Sequence, residues 1–133
     1  MIQYITAYIA AGVMFLVFDL VWLGLVAKDV YGSRLGDLMA TSVNIPAAVM
    51  FYALYLLGVV IFAINPALQT GDWKTALIWG SLFGFFCYMT YELTSLAVIQ
   101  DWPASLVWID IVWGTLLTGA VATTAYFITK IIL

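Results

Sequence analysis

The stretch "GSLFGFFCYMTYE", residues 80–92, decides the fold because it combines a helix-packing pattern with an acid inside an apolar segment. Gly80 and Gly84 are four residues apart, and small residues at this spacing let two membrane helices approach closely. Tyr88 and Glu92 continue the row in steps of four, which puts Glu92 on the packing face of a helix. An intramembrane carboxylate is costly and by default indicates a functional site.

The composition around this stretch is that of a membrane protein. Of the 133 residues, 66% are hydrophobic and only 8% are charged, whereas about 25% of the residues in soluble domains are charged. Histidine is absent and Cys87 is the single cysteine, which excludes an internal disulfide, a Cys/His zinc site and histidine-based catalysis. Seven acids against four bases leave no basic surface, so we expect no nucleic-acid partner. The sequence indicates no cofactor.

Four apolar segments are long enough to span a bilayer, which takes about 20 residues. They lie near residues 3–27, 44–65, 74–98 and 103–130. We therefore predict an all-α fold, an integral membrane four-helix transmembrane bundle that forms a single domain over residues 1–133. Residues 28–43 form the one sizeable loop in this prediction, with room for a short interfacial helix.

Prolines and an aspartate indicate the helix ends. Pro46 fits the first turn of the second helix, and Pro66 is expected to end it. Asp72 can cap the third helix, and Pro103 indicates the start of the fourth. We assign Trp102 to the membrane interface, where amphipathic aromatic side chains accumulate.

Three acids are predicted to lie at one depth in the membrane. Asp19 precedes Lys28 by nine residues, Glu92 precedes Asp101 by nine, and Asp110 follows Asp101 by nine. Because successive helices run in opposite directions, all three acids are expected near the same membrane face, roughly 13 Å along their helices from the loops.

Aromatic side chains with hydrogen-bond donors accompany these acids. The phrases "DLVW" at 19–22 and "DIVW" at 110–113 each place a tryptophan three residues after an aspartate. Tryptophan and tyrosine donate to carboxylates, and their ring faces attract bound cations. The predicted ligand-binding residues are Asp19, Glu92, Asp110, Tyr52, Tyr88, Trp22 and Trp113, with Gly80 and Gly84 assigned to helix packing.

These residues predict a pocket that binds a proton, a cation or an amine-bearing amphiphile, as in a small proton-coupled transporter. Two carboxylates about 5 Å apart repel by roughly 3 kcal/mol at an effective dielectric of 20, so we expect the cluster to hold at least one proton unless a cation occupies it. Whether that cation is a metal stays open.

Two alternatives remain open. One is a lipid-modifying membrane enzyme in which one acid is protonated and another ionised, and the other is a structural accessory subunit whose neutral acids only fix the helix register. The expected partners are membrane lipids and a cation or amphiphile, and the glycine row can also serve a second copy in a homodimer.

Several segments together resemble the bacterial membrane family known as domain of unknown function 2177 (DUF2177). They are "FDLVWLG" at 18–24, "FYALY" at 51–55, "NPAL" at 65–68, "GSLFGFFCYMTYELTSLA" at 80–97, "DWP" at 101–103 and "DIVWG" at 110–114. The resemblance covers nearly the whole chain and implies a small multi-pass protein of the bacterial inner membrane, without an activity. Members look to have an aspartate followed by Leu-Thr-Asn where this chain has Glu92-Leu93-Thr94-Ser95. The longer acid keeps an acceptor but changes the geometry around any ligand.

Overall fold

The structure, a computed structural model, describes residues 1–40 and 42–133, and their side chains apart from those of residues 26–29. The described part is helical and contains no strand. The helices are α1 (Ile2–Trp22), α2 (Lys28–Leu35), α3 (Ile45–Val59), α4 (Asn65–Thr70), α5 (Trp73–Val98) and α6 (Ala104–Ile132). A π-helical turn, Leu23–Ala27, joins α1 to α2, a second one, Val60–Ile64, joins α3 to α4, and a 3₁₀ turn, Gly36–Leu38, follows α2.

Within the described residues, three helical stretches are long and apolar enough to cross a membrane: Ile2–Leu25, Ile45–Thr70 and Ala104–Ile132. Helix α5 has 26 residues but is not in this set, because Glu92, two glycines and several hydroxyl-bearing side chains make it less apolar. The all-helical membrane fold is therefore shown, with three candidate spans in place of the four predicted ones.

The start of α3 agrees with the sequence. Pro46 lies in its first turn, where a missing backbone N–H has no cost. Asn44 precedes the helix, and its side-chain oxygen accepts from the backbone N–H of Ala47 at 3.2 Å. A capping bond of this kind satisfies one of the free N–H groups at the helix start.

The prediction that Pro66 ends this helix is wrong, because the helical path continues as α4 to Thr70. The π-helical turn Val60–Ile64 comes immediately before the proline, and the N–H of Asn65 bonds to the carbonyl of Val60, five residues back. This wider turn breaks the usual ladder of bonds just where proline has no N–H to contribute. Gly71, in a left-handed conformation with φ 71°, ends α4 instead.

The starts of α5 and α6 lie where the sequence predicts them. Asp72 caps α5, accepting from the N–H of Lys74 at 3.0 Å, and Pro103 directly precedes α6. In the predicted loop 28–43, residues up to Leu35 are helical, as α2.

Helices α5 and α6 pack against each other through glycines. A methyl group built on Gly80 would lie 2.7 Å from Cβ of Ala122, and one built on Gly84 would lie 2.5 Å from Oγ1 of Thr118. Both distances are below van der Waals contact, so only glycine allows this approach. The glycine row therefore packs on α6 of the same chain, and a homodimer would need a different face.

Helix α6 is the centre of the fold, since both α1 and α5 pack mainly on it. The apolar core surrounds the half of α6 that follows Asp110. Its members are Ala7, Ala10, Ala11 and Phe15 from α1, Tyr55, Leu56, Val59, Val60, Ala63, Ile64 and Ala67 from the second helical stretch, Ala76 from α5, and Leu117, Val121, Ala122, Ala125 and Tyr126 from α6. The core thus fixes one end of the bundle and leaves the acids at the other end.

Replacing Gly84 with alanine should lower the free energy of unfolding by roughly 1–3 kcal/mol, since the added methyl overlaps Thr118 and forces α5 and α6 apart. Thermal unfolding of the purified protein in detergent measures the effect. The matched control is Gly24→Ala, whose methyl meets open space. Equal melting temperatures for the two variants would contradict the packing described here.

Candidate functional site

The side chains of two buried acids, Glu92 on α5 and Asp110 on α6, lie next to each other. Only 1% of Glu92 and 6% of Asp110 is exposed. The close glycine packing of α5 on α6 brings them together, because Glu92 is two helical turns beyond Gly84 on the same face. Two carboxyl groups this close can form a hydrogen bond with each other only when one of them carries a proton, since ionised carboxylates only accept.

Trp102 supplies a donor to Glu92. This residue lies in the short connection between α5 and α6, and its indole N–H donates to Oε2 of Glu92 at 2.9 Å. The sequence had assigned Trp102 only to the membrane interface. In addition, its N–H satisfies one acceptor oxygen of a buried acid. Burying a neutral polar group without a hydrogen bond costs roughly 2–7 kcal/mol.

Tyr31 supplies a donor to Asp110. It lies on α2, and its hydroxyl donates to Oδ1 of Asp110 at 2.5 Å, while the indole N–H of Trp22 makes a longer contact of 3.4 Å to the same hydroxyl. Burial first, and then the hydrogen bond to Asp110, raise the pKa of Tyr31. The phenol therefore stays protonated at neutral pH and remains a donor.

The third acid, Asp19 on α1, lies beside this pair. It accepts from the hydroxyl of Tyr52 at 3.1 Å and is close enough to Asp110 for their charges to interact. Asp19 is half-buried, so it connects the buried pair to more accessible space.

A cavity of about 230 Å³ lies between these groups. Asp19 and Asp110 give it two carboxylates, and most of its remaining wall is aromatic. The rings of Trp22 and Trp113 stack on each other with centroids 4.2 Å apart and planes 10° from parallel. The lining residues are Phe15, Asp19, Trp22, Leu23, Tyr31, Phe51, Tyr52, Tyr88, Asp110 and Trp113.

The structure brings six of the seven predicted ligand-binding residues to this cavity and leaves one behind it. Glu92 does not line the cavity and reaches it only through Asp110. Tyr88 lines it from α5, with its ring placed where a side chain on Gly114 would be. Among the described residues, no group of three or more Asp, Glu or Cys side chains is arranged to hold a metal ion.

The sequence reasoning missed the two donors, Tyr31 and Trp102. Tyr31 is in a polar connection that carries no span signal, so only the tertiary fold brings it to Asp110. Trp102 had a partial signal, since Glu92 and Trp102 are separated by the end of one helix and a short turn. A tryptophan at such a turn can reach back along the helix to an acid two turns inside it.

We expect Tyr31→Phe to lower the free energy of unfolding by roughly 1–3 kcal/mol, because buried Asp110 loses its hydroxyl donor. The loss is measured by chemical unfolding in detergent micelles. Tyr4→Phe is the control, since Tyr4 is 48% exposed on α1 and its hydroxyl should contribute less than about 0.5 kcal/mol. A Tyr31→Phe protein as stable as the control would refute the stabilising role of this bond.

Comparison with known proteins gives one result that bears on identity. The family model described as "Predicted membrane protein (DUF2177)" matches residues 4–127. No curated protein matches the chain, and no solved structure does. Since the family model covers nearly the whole sequence, including all three acids and both donors, the chain belongs to the DUF2177 family of predicted membrane proteins.

Proposed function

We propose that this protein is a four-helix transmembrane bundle that exchanges a proton for a cation at the Glu92–Asp110 pair and the adjoining aromatic cavity. The observation that supports this most is the contact between the two buried carboxyl groups. The family resemblance supports the bacterial inner membrane as its location.

Helix α5 is the fourth span in this proposal. Its 26 residues extend for about 39 Å, more than the roughly 30 Å of a bilayer core. Its polar and small positions, Gly80, Gly84 and Glu92, are buried. Most of the side chains that remain exposed over this stretch are large and apolar, among them Leu77, Ile78, Trp79, Leu82, Phe85 and Phe86. Thr90 and Thr94 are also exposed, and their hydroxyls donate to backbone carbonyls of the same helix. A helix whose polar groups face its own bundle can cross lipid despite a moderate mean hydropathy.

The acid pair is suited to bind and release one proton. Glu92 and Asp110 each accept one hydrogen bond from an aromatic donor, Trp102 and Tyr31, and a proton between them satisfies both remaining facing oxygens. A second negative charge in these apolar surroundings is unfavourable. The proton therefore leaves when a positive charge takes its place.

The cavity is suited to hold that positive charge. Asp19 and Asp110 contribute negative charge to its wall, and aromatic rings contribute faces that attract organic cations in particular. A cation beside Asp110 stabilises the ionised pair, and a proton on the pair weakens cation binding to the same extent. Such mutual exclusion is the physical basis of exchange.

The test uses the full chain in vesicles that contain a pH-sensitive dye. A tetramethylammonium gradient should drive proton movement in the opposite direction, and the initial rate of the dye signal measures it. Glu92→Gln should reduce the rate to that of protein-free vesicles, because the amide still accepts from Trp102 and donates to Asp110 but cannot release a proton.

The control for this experiment is Asp37→Asn, which removes an exposed acid in the turn after α2 and should leave the rate unchanged. Exchange by the Glu92→Gln protein at the rate of the unmodified protein would overturn the proposal, and so would the absence of exchange for every tested cation, sodium included.

A further inference from the structure

We infer that the cation is the head group of an amphiphile, and that its alkyl chain lies in an apolar groove between α3 and α5 that is continuous with the acidic cavity. This inference rests on the proposed function and adds the class of substrate. The site of the alkyl chain consists mostly of residues outside the cavity that the proposed exchange uses.

The groove exists because α3 and α5 separate. Helix α5 packs on the turn Val60–Ile64 and on α4, whereas within the described residues its backbone lies apart from that of α3, which it meets mainly through aromatic side chains. The two helices approach closely at Gly58, where an added methyl group would lie 2.6 Å from the ring of Phe83. Nearer the acids, the ring of Tyr55 contacts the rings of Phe83 and Tyr88, with centroids 5.4 and 6.4 Å away. On the side towards the acids, the first half of α3 is mostly exposed.

The space between the separated helices is large and apolar. One part, of about 440 Å³, is lined by Phe51, Tyr55, Cys87, Tyr88 and Tyr91. A second part, of about 600 Å³, is lined by Phe51, Tyr55, Phe62, Trp79, Leu82, Phe83, Phe86, Cys87 and Thr90. Each part has the size of a small-molecule site, and because they share Phe51, Tyr55 and Cys87 they form one groove.

The groove joins the acidic cavity through two residues. Phe51 and Tyr88 line both the groove and the cavity that contains Asp19 and Asp110. An occupant can therefore lie along the aromatic wall with one end beside the carboxylates.

Charge and polarity together select the occupant. The groove accepts an alkyl or acyl chain, and the carboxylates with the Trp22 and Trp113 rings accept a positive head group. An anionic lipid would bring its negative charge next to Asp19 and Asp110. A simple inorganic cation has no apolar part that could occupy the groove. The complementary ligand is an amphiphile with an ammonium head and a single long chain.

The test compares a cationic amphiphile with an anionic amphiphile of the same chain length. The protein is placed in phosphatidylcholine nanodiscs and titrated with dodecyltrimethylammonium that carries a photoreactive diazirine at the chain end. Labelling should map to α3 and α5 in the groove. Excess unlabelled dodecyltrimethylammonium should compete, and dodecyl sulfate should not.

Two matched variants locate the chain. Cys87→Phe fills the groove with a ring and should weaken binding of the amphiphile by about tenfold or more. Val13→Phe adds the same ring to an exposed position of α1 and should not change it. The exchange of tetramethylammonium, which has no chain, should continue in both variants, which also shows that both are folded.

The outcomes separate this inference from the proposed function. Unchanged amphiphile binding by the Cys87→Phe protein, or labelling outside the groove, overturns the inference and leaves cation exchange standing. Conversion of a dimer to a monomer by Cys87→Phe without loss of amphiphile binding also overturns it, since the groove would then be covered by a second copy. If no tested cation, sodium included, drives proton exchange and the amphiphile does not bind, both proposals fail.

Discussion

Two carboxyl groups in contact inside an apolar protein need a shared proton or a nearby cation. Ionised carboxylates have no hydrogen to donate to each other, and burial makes two adjacent negative charges unfavourable. Glu92 and Asp110 are in this situation, and other features of the fold follow from it. The glycines of α5 bring the acids together, and Trp102 and Tyr31 each donate a hydrogen bond to one oxygen of one acid. The apolar core at the other end of the bundle holds the helices in this register.

The same constraint explains why α5 differs from the other long helices. A helix that carries glycine, hydroxyl groups and a glutamate loses apolarity, and α5 is accordingly absent from the three candidate spans. Yet Gly80, Gly84 and Glu92 are buried against α6 and not directed to lipid. In our proposal α5 spans the membrane: the residues that pack on α6 lower its mean hydropathy, while the opposite face keeps mostly large apolar side chains.

Much of the site was open to prediction from local spacing. The four-residue row from Gly80 to Glu92 and the two "Asp-x-x-Trp" phrases are periodic features of single helices, so they predict which side chains share a helix face with each acid. The cavity lining of Asp19, Trp22 and Trp113 follows from that periodicity once α1 and α6 pack together.

The features that could not be predicted from the sequence depend on segments outside the regular α-helices and on how the helices pack. Tyr31 reaches Asp110 because a π-helical turn after Trp22 leads into α2, and no periodic pattern specifies the direction of such a turn. Pro66 was misjudged for the same reason, since a π-helical turn removes the usual cost of proline within a helix. The groove between α3 and α5 results from the separation of two helices beyond the contact of Val60–Ile64 with α5, and no pattern within a single helix specifies such a separation.

The most direct measurement of the central claim is the infrared spectrum of the protein in lipid nanodiscs at neutral pH, in the region where a protonated carboxylic acid absorbs separately from a carboxylate. The shared proton predicts a carboxylic acid band that shifts in heavy water, is absent from the Glu92→Gln protein and decreases when a bound cation displaces the proton. A spectrum of the unmodified protein that shows only ionised carboxylates would contradict the claim, since Glu92 and Asp110 would then lie in contact without a proton between them.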